Sequence, residues 1–164
     1  MRRARTRDVT AIQELLDAYV AKRILLGKNT VTLYEDVQEF WVAEQPGSGR
    51  VVGCGAVHVL WEDLAEVRTV AVHPEYRSQG IGHLLLEQLL AAAREVGVER
   101  VFVLTFEVRF FAEHGFAEIE GTPVPHHVYA ELLRSYDEGV AEFLDLERVK
   151  PNTLGNTRML RMLR

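Results

Sequence analysis

The sequence predicts an α/β domain, of the α+β kind, built on a mixed and mostly antiparallel sheet. Three observations lead to this fold class. Periodic segments follow one another as helices, a hairpin, and then alternating strands and helices. A glycine-containing loop joins a Val-rich strand to an apolar helix. The 164 residues are 48% hydrophobic without an 18-residue apolar run, which indicates one buried core and no passage through a membrane.

The N-terminal segment predicts two helices. Apolar residues recur at helical spacing from Ile12 to Tyr19, and Asp8 is a suitable N-cap, so the first helix is predicted over residues 8–22. A shorter helix is predicted over residues 30–37.

A hairpin and a third strand are predicted next. Residues 39–44 and 50–60 have strand patterns, and the Pro- and Gly-containing segment 45–49 between them is typical of a hairpin turn. Residues 64–72 form the strand that leads into the glycine-containing loop.

The second half of the chain alternates between helix and strand. A buried helix is predicted over residues 83–96 and ends at Gly97, which suits a C′ position. A strand over residues 101–106 and a helix over 108–114 follow. We expect one domain over residues 1–164, with a core of residues 1–120, because residues 121–164 are too few to fold alone.

Charge and cysteine content narrow the function classes. The net charge of −5 and the pI of about 5.7 disfavour nucleic acid as a partner. The single cysteine, Cys54, cannot form an internal disulfide, and the N-terminus lacks a signal-peptide pattern, so the cytoplasm is the expected location. Cys54 lies in a buried-strand pattern and is expected to be an inert thiol. The adjacent His126 and His127, on what is expected to be an extended loop, lack the spacing of a metal site, so no metal is expected.

The loop of residues 77–82 is the most informative segment. Small residues at 78, 80 and 82 let several backbone N–H groups converge, and the positive end of the following helix favours an anion such as a diphosphate. A glycine pair can also do no more than turn a strand into a helix. The third glycine of a dinucleotide fingerprint and the Gly-Lys-Ser/Thr of a Walker loop are both missing.

The segment Val-Ala-Val-His-Pro-Glu-Tyr-Arg-Ser-Gln-Gly-Ile-Gly closely resembles the acetyl-CoA loop of the GCN5-related N-acetyltransferase (GNAT) superfamily, with Arg77, Gly80 and Gly82 at the matching positions. The resemblance implies the GNAT fold, with a twisted sheet of about six to seven strands and helices on both faces, and acetyl-CoA as co-substrate. The cofactor contacts that it implies are Val70, Ala71, Val72, Arg77, Ser78, Gln79, Gly80, Ile81, Gly82 and Phe111.

A narrower resemblance covers residues 60–66, 102–105, 111–116 and the basic closing segment. These segments are similar to the acetyltransferase domain of the N-acetylglutamate synthase family, in particular to its short form without a kinase domain. The resemblance implies transfer of acetyl from acetyl-CoA to the α-amine of glutamate, the entry to arginine biosynthesis. The sequence leaves glutamine open as the acceptor.

The reaction needs a base, and Glu66 stands where this family places its catalytic glutamate. The alternative is that Glu66 pairs with Arg68 on the same strand face. Many superfamily members use a tyrosine as general acid where this chain has Phe110-Phe111. Thr105, Tyr76 or a bound water are alternatives, and a thiolate with a thiol pKa of about 8.5 leaves readily without an acid.

The carboxylates of an amino-acid acceptor need cationic or amide donors. Lys28 stands where the synthase family has a basic substrate-binding residue, and Arg158 and Asn156 lie in a segment that is similar to the family's closing strand. Arg68 is a further candidate for acceptor binding.

Two other classes stay open. The chain could acetylate another amine, such as a protein N-terminus or a polyamine, or it could bind acyl-CoA as a sensor without catalysis. The amphipathic run over residues 136–146 could pack on its own domain or on a second copy, so a homodimer is one assembly that it allows.

Overall fold

Among the described residues, seven strands form one sheet, in which the order across the sheet is the first, second, third, fourth, fifth, seventh and sixth strand of the chain. The structure is a computed structural model that describes residues 1–25, 27–146 and 155–163. The strands are β1 (Arg2–Arg3), β2 (Phe40–Glu44), β3 (Val51–Trp61), β4 (Leu64–Val72), β5 (Arg100–Thr105), β6 (Ala117–Glu118) and β7 (Thr157–Met162). Strands β4 and β5 are parallel, whereas the pairs β1–β2, β2–β3, β5–β7 and β6–β7 are antiparallel.

Six α-helices flank the sheet among the described residues. They are α1 (Val9–Val20), α2 (Thr30–Glu35), α3 (Ile81–Val96), α4 (Val108–Glu113), α5 (His126–Leu132) and α6 (Glu138–Phe143), and single 3-10 turns cover Thr6–Asp8, Val37–Glu39 and Pro74–Tyr76. The predicted fold class, a mixed and mostly antiparallel sheet of six to seven strands with flanking helices, is therefore confirmed.

The predicted helices and strands lie within two residues of their observed bounds, and two differences from the sequence prediction are informative. Helix α3 begins at Ile81, two residues before the predicted start, because the Gly80 carbonyl already accepts the Leu84 N–H at 3.1 Å. The expectation of an extended loop at residues 126–127 is wrong, since α5 begins there. Pro125 precedes it in an extended conformation, and Val128 and Leu132, one helical turn apart, are buried.

Packing divides the chain into two compact units, and the first comprises Met1–His58 and Val67–Ala92. Its core includes the buried stripe of α1 from Ile12 to Tyr19. Helix α3 packs closely against strand β3 because β3 has glycine at two positions, 53 and 55. A Cβ on Gly53 would lie 2.9 Å from Leu85 Cδ1, and one on Gly55 would lie 2.7 Å from Leu89 Cδ1.

The second unit comprises Val59–Glu66 and Ala93–Arg164. Its core is built around Phe102 of β5, whose ring meets that of Phe143 edge to face at 5.1 Å between centroids. Residues 140–144 of the amphipathic run are buried in this unit. The run therefore packs on its own chain, while the homodimer and the single domain over residues 1–164 stay predictions.

No helix within the described ranges has both the length and the apolar composition needed to cross a membrane.

Candidate active site

Strand β4 carries the predicted base and then bends. Glu66 is buried, with 4% of its surface exposed, and its Cα partner on β5 is Phe102. The parallel register between β4 and β5 ends at this pair, although β4 continues to Val72. Thr69 has φ of +57°, which is an outlier for a β-branched residue in a strand. The strand is thus irregular just where the resemblance places cofactor contacts.

Two polar groups near this bend have unusual surroundings. Thr69 Oγ1 is buried and has no hydrogen-bond partner among the described residues. The carbonyl of the same residue accepts the Cys54 thiol at 3.6 Å. Complete burial raises the pKa of Cys54 to about 12, so this thiol stays protonated and is a poor nucleophile at neutral pH, as the sequence indicated.

The loop after β4 exposes backbone amides. Ser78 and Gly80 have φ of +60° and +79°, the left-handed conformation that turns consecutive N–H groups toward one side. Within the described part of the chain, the N–H groups of Ser78, Gln79 and Gly80 have no backbone acceptor. A Cβ built on Gly80 meets no atom within 4 Å. This loop precedes the 16-residue helix α3, so it suits a phosphate group.

Arg77, the first residue of the loop, is held by Tyr19 of α1. Its Nε and Nη2 donate to the phenolic oxygen at 3.2 and 3.1 Å, and the same hydroxyl donates to the carbonyl of Val72. Tyr19 thereby connects two predicted cofactor residues, Arg77 and Val72. The sequence analysis treated Tyr19 only as an apolar position of the first helix. The sequence signal for this role is that Tyr19 carries a hydroxyl group, whereas the other residues on the same face of the helix are aliphatic.

Lys28 and Arg68, which were predicted to bind the amino-acid acceptor, both lie near the carboxylate of Asp36. Lys28 Nζ and Arg68 Nη2 are 3.8 and 3.5 Å from Oδ2 of Asp36. Arg68 Nη2 also lies 3.2 Å from Glu39 Oε2, and the other oxygen of Glu39 is 2.7 Å from Nδ1 of His58. Sequence reasoning found both cations but missed Asp36, Glu39 and His58, which come from the C-cap of α2, the 3-10 turn after it and β3.

Three predicted residues of the second unit are neighbours where β5 pairs with β7. Thr105 is the Cα partner of Thr157, which places it beside Asn156 and Arg158. The Thr105 hydroxyl accepts the Glu107 N–H at 2.8 Å and so closes a turn at the end of β5. Asn156 Oδ1 is buried without a hydrogen-bond partner among the described residues.

The side chain of Arg158 donates hydrogen bonds to main-chain carbonyl groups near the end of α6. Its Nη1 donates to the Glu142 carbonyl at 2.8 Å, and its Nη2 donates to the carbonyls of Gly121 and Phe143. The guanidinium therefore satisfies the C-terminal end of α6 and also lies 5.3 Å from the Phe102 ring centroid. Burial lowers its pKa from the usual value. Residues 150–154 of the same predicted segment lie outside the described residues.

Phe111 fills the core of the second unit. It is buried and meets Phe110 and Phe116 edge to face, at 5.1 and 5.3 Å between centroids. Its predicted contact with the pantetheine arm stays a prediction. Among the described residues, no three or more His, Cys, Asp or Glu side chains form a group that could hold a metal ion.

A cleft of about 730 Å³ opens in the first unit between α1 and the turn that joins β2 to β3. Arg2 lies in its lining and donates to both carboxylate oxygens of Asp8, at 2.7 and 3.0 Å, and to Glu44 at 2.7 Å. Arg2 thereby lowers the pKa of the Asp8 carboxyl. Because two carboxylates already satisfy this guanidinium, the cleft offers less positive charge than its arginine content indicates.

Comparison with known proteins gives a consistent result. Residues 10–116 match the Acetyltransferase (GNAT) family. The chain is 65% identical over 164 residues to an amino-acid acetyltransferase of Mycobacterium tuberculosis, covering 99% of this chain and 94% of that protein.

Two crystal structures are similar over nearly the whole chain. The first is that of Rv2747 from Mycobacterium tuberculosis in complex with CoA and NLQ, with a TM-score of 0.96 and 65% identity, covering 99% of this chain and 98% of the other. The second is N-acetylglutamate synthase from Neisseria gonorrhoeae complexed with coenzyme A and N-acetyl-glutamate. Its TM-score is 0.80 at 25% identity, and the match covers 99% of this chain but 34% of the longer synthase.

Proposed function

Because this chain belongs to the GNAT acetyltransferase family, we propose that it transfers the acetyl group of acetyl-CoA to the α-amine of L-glutamate or L-glutamine. The name of the Mycobacterium tuberculosis relative supports an amino acid as acceptor, and the ligands of the Neisseria gonorrhoeae synthase support glutamate. The single observation that carries the proposal is the loop over residues 77–82, whose exposed amides suit a diphosphate. With glutamate as acceptor, the product would be the first intermediate of arginine biosynthesis, made in the cytoplasm.

The loop would hold the diphosphate of acetyl-CoA. The amides of Ser78, Gln79 and Gly80 supply donors without a competing backbone acceptor, and the N-terminus of α3 adds a positive potential. Gly80 leaves its side of the loop open, so an oxygen atom can approach the backbone closely. Beyond Glu66, residues 67–72 of β4 extend past the parallel register and can offer backbone groups to the pantetheine arm.

Glu66 would remove a proton from the acceptor ammonium, directly or through a water. The free amine nitrogen then forms a bond to the thioester carbon, and the carbon–sulfur bond breaks to release CoA thiolate. The nitrogen loses its second proton to solvent water as the neutral amide forms. A thiolate with a thiol pKa of about 8.5 needs no acid near neutral pH. We therefore assign no general acid, and Thr105 stays a candidate, since its hydroxyl accepts the Glu107 N–H and keeps its own proton.

Lys28 and Arg68 would bind the acceptor carboxylates, and Asn156 would add a neutral amide. Support for this assignment is that both cations belong to one cluster around Asp36. The buried Oδ1 of Asn156 has no hydrogen-bond partner among the described residues and can accept an N–H group of the acceptor. Arg158 contributes less, since three main-chain carbonyls occupy its guanidinium.

One observation favours glutamine as the second candidate acceptor. The formal charges of Lys28 and Arg68 are balanced by those of Asp36 and Glu39, so every acceptor carboxylate that binds these cations adds negative charge to a cluster that is formally neutral. A neutral side-chain amide then loses little relative to a side-chain carboxylate, which would have to compete with the two acidic residues.

The test is release of free thiol from acetyl-CoA with glutamate, glutamine, other amino acids, a peptide N-terminus and a polyamine. We expect turnover with glutamate or glutamine and a fall of about 100-fold or more in kcat/KM for Glu66→Gln, with CoA binding retained. Glu62→Gln, at an exposed position of the same region, is the matched control.

Three other outcomes would contradict the proposal. Turnover only with the peptide or the polyamine would assign a different acceptor. Binding of CoA without any turnover would favour a sensor. Full activity of Glu66→Gln would remove that residue as base.

A further inference from the structure

We propose that Tyr19 is a positioning residue for coenzyme binding, which orients Arg77 and thereby the loop over residues 77–82. The inference rests on the proposed function, because it takes this loop as the diphosphate site. It adds a residue of α1 that contacts Arg77 twice, through its hydroxyl and through its ring, whose centroid lies 5.2 Å from Arg77 Cζ.

The phenolic hydroxyl of Tyr19 has used its full hydrogen-bonding capacity. A phenol has one proton to donate and two lone pairs to accept. The proton goes to the Val72 carbonyl, and the lone pairs accept Nε and Nη2 of Arg77. One oxygen atom thus joins the last residue of β4 to the first residue of the loop.

The contact fixes which edge of the Arg77 guanidinium is available. Nε and Nη2 form the edge that faces Tyr19, and Nη1 has no hydrogen-bond partner among the described residues. The two N–H groups of Nη1 therefore point away from the phenol, which suits a phosphate oxygen. Without the hydroxyl, the contact with the ring remains but no longer fixes the direction of the guanidinium N–H groups. The long Arg77 side chain then regains part of its rotamer freedom, and binding must order it again at an entropic cost.

The ring of Tyr19 is itself held firmly. Only 7% of the residue is exposed, and it packs in the core of the first unit with Ile12, Leu15 and Leu16. A phenylalanine would fill the same space, so the packing alone does not require the hydroxyl. What the hydroxyl adds is the connection between Val72 and Arg77.

The experiment is a double-mutant cycle of Tyr19→Phe and Arg77→Ala, with CoA affinity measured by calorimetry and acetyl transfer measured by thiol release. We expect Tyr19→Phe to weaken CoA binding and raise KM for acetyl-CoA about ten-fold, as for the loss of a charge-assisted hydrogen bond. The kcat and the acceptor KM should stay within about two-fold of wild type. In the Arg77→Ala background, Tyr19→Phe should have little further effect, because the hydroxyl acts through Arg77.

Tyr129→Phe is the matched control, since Tyr129 is also partly buried but lies in α5 of the second unit. If Tyr19→Phe fails to fold, Arg77→Lys takes its place, because one ammonium cannot reproduce the two-donor contact and should weaken CoA binding similarly.

An unchanged CoA affinity in Tyr19→Phe, or effects of the two variants that simply add, would overturn the inference while leaving the proposed function intact. A fall in kcat equal to the fall in kcat/KM would also overturn it, because positioning of the coenzyme predicts a change in binding. Failure of the wild-type protein to bind CoA would instead remove the proposed function together with this inference.

Discussion

Oε2 of Glu39 lies 3.2 Å from Nη2 of Arg68, an arginine whose side chain is only 8% exposed. We predict that Glu39→Gln lowers the free energy of unfolding by about 1–3 kcal/mol, because a mostly buried guanidinium loses one of its charged partners. Urea denaturation measures this change. Glu35→Gln, on the exposed side of the same segment, should stay within about 0.5 kcal/mol of wild type, and equal effects of the two variants would contradict the prediction.

The pairing of Asp8 with Arg2 predicts a pH-dependent stability. Arg2 lowers the pKa of the Asp8 carboxyl in the folded protein, so its contribution is complete above the unfolded pKa of about 3.9 and is lost as the pH falls through the lower, folded pKa. Asp8→Asn should therefore cost about 1–3 kcal/mol at pH 7 and progressively less below about pH 4. Denaturation at several pH values measures the difference, and exposed Asp17→Asn is the control. A difference that does not change with pH would count against this assignment.

Arg158 should act on stability and not on acceptor binding. Arg158→Lys keeps the positive charge but cannot donate to the three carbonyls around the end of α6, so we expect a loss of about 2 kcal/mol in the free energy of unfolding. The acceptor KM should change by less than about two-fold. Thermal denaturation and steady-state kinetics give the two numbers, and Arg134→Lys at an exposed site is the control. A raised KM at unchanged stability would support the substrate-binding role that the sequence indicated.

Two threonine hydroxyls should respond in opposite ways to removal. Thr69→Val removes a buried hydroxyl with no partner among the described residues, so stability should stay the same or increase by up to about 1 kcal/mol. Thr105→Val removes the acceptor of the Glu107 N–H and should cost about 1 kcal/mol. Chemical denaturation compares the two variants. A large loss for Thr69→Val would show that its hydroxyl has a partner in the folded chain.

Glycines 55 and 80 should separate folding from coenzyme binding. Gly80→Ala meets no neighbouring atom but must adopt φ of +79°, so it should cost about 1 kcal/mol and weaken CoA binding by changing the loop. Gly55→Ala places a Cβ 2.7 Å from Leu89 Cδ1, so it should cost about 1–3 kcal/mol and leave CoA affinity nearly unchanged. Calorimetry and denaturation test both variants, and the reverse pattern would refute the assignment of the loop.

Local sequence signals predicted the elements that position the candidate site. The strand pattern of residues 64–72 and the glycine that ends α3 act over a few residues, so the observed bounds of β4 and the observed end of α3 agree with the expectation. Gly97 has φ of +103°, the conformation that glycine alone adopts readily. The loop over residues 77–82 was found for the same reason, since its chemistry depends on neighbouring small residues.

Contacts between distant segments could not be predicted in this way. The carboxylate that meets Lys28 and Arg68 comes from Asp36, and nothing in the spacing of these three residues indicates a shared partner. Tyr19 joins Arg77 across 58 positions of the chain, and periodicity assigned it only to the apolar face of α1. Such partners follow from how α1, α2 and β4 pack, which periodicity alone does not specify.

The two side-chain-free positions of β3 have a consequence for how the coenzyme loop behaves. Leu85 and Leu89 of α3 fit against Gly53 and Gly55, and a helix advances 1.5 Å per residue, so sliding α3 by one position would lose both contacts. The helix is thereby locked along its axis. The backbone amides at the N-terminus of α3 are therefore held in place by the packing of the helix. We expect the loop over residues 77–82 to keep its conformation when the ligand binds, without a closing movement.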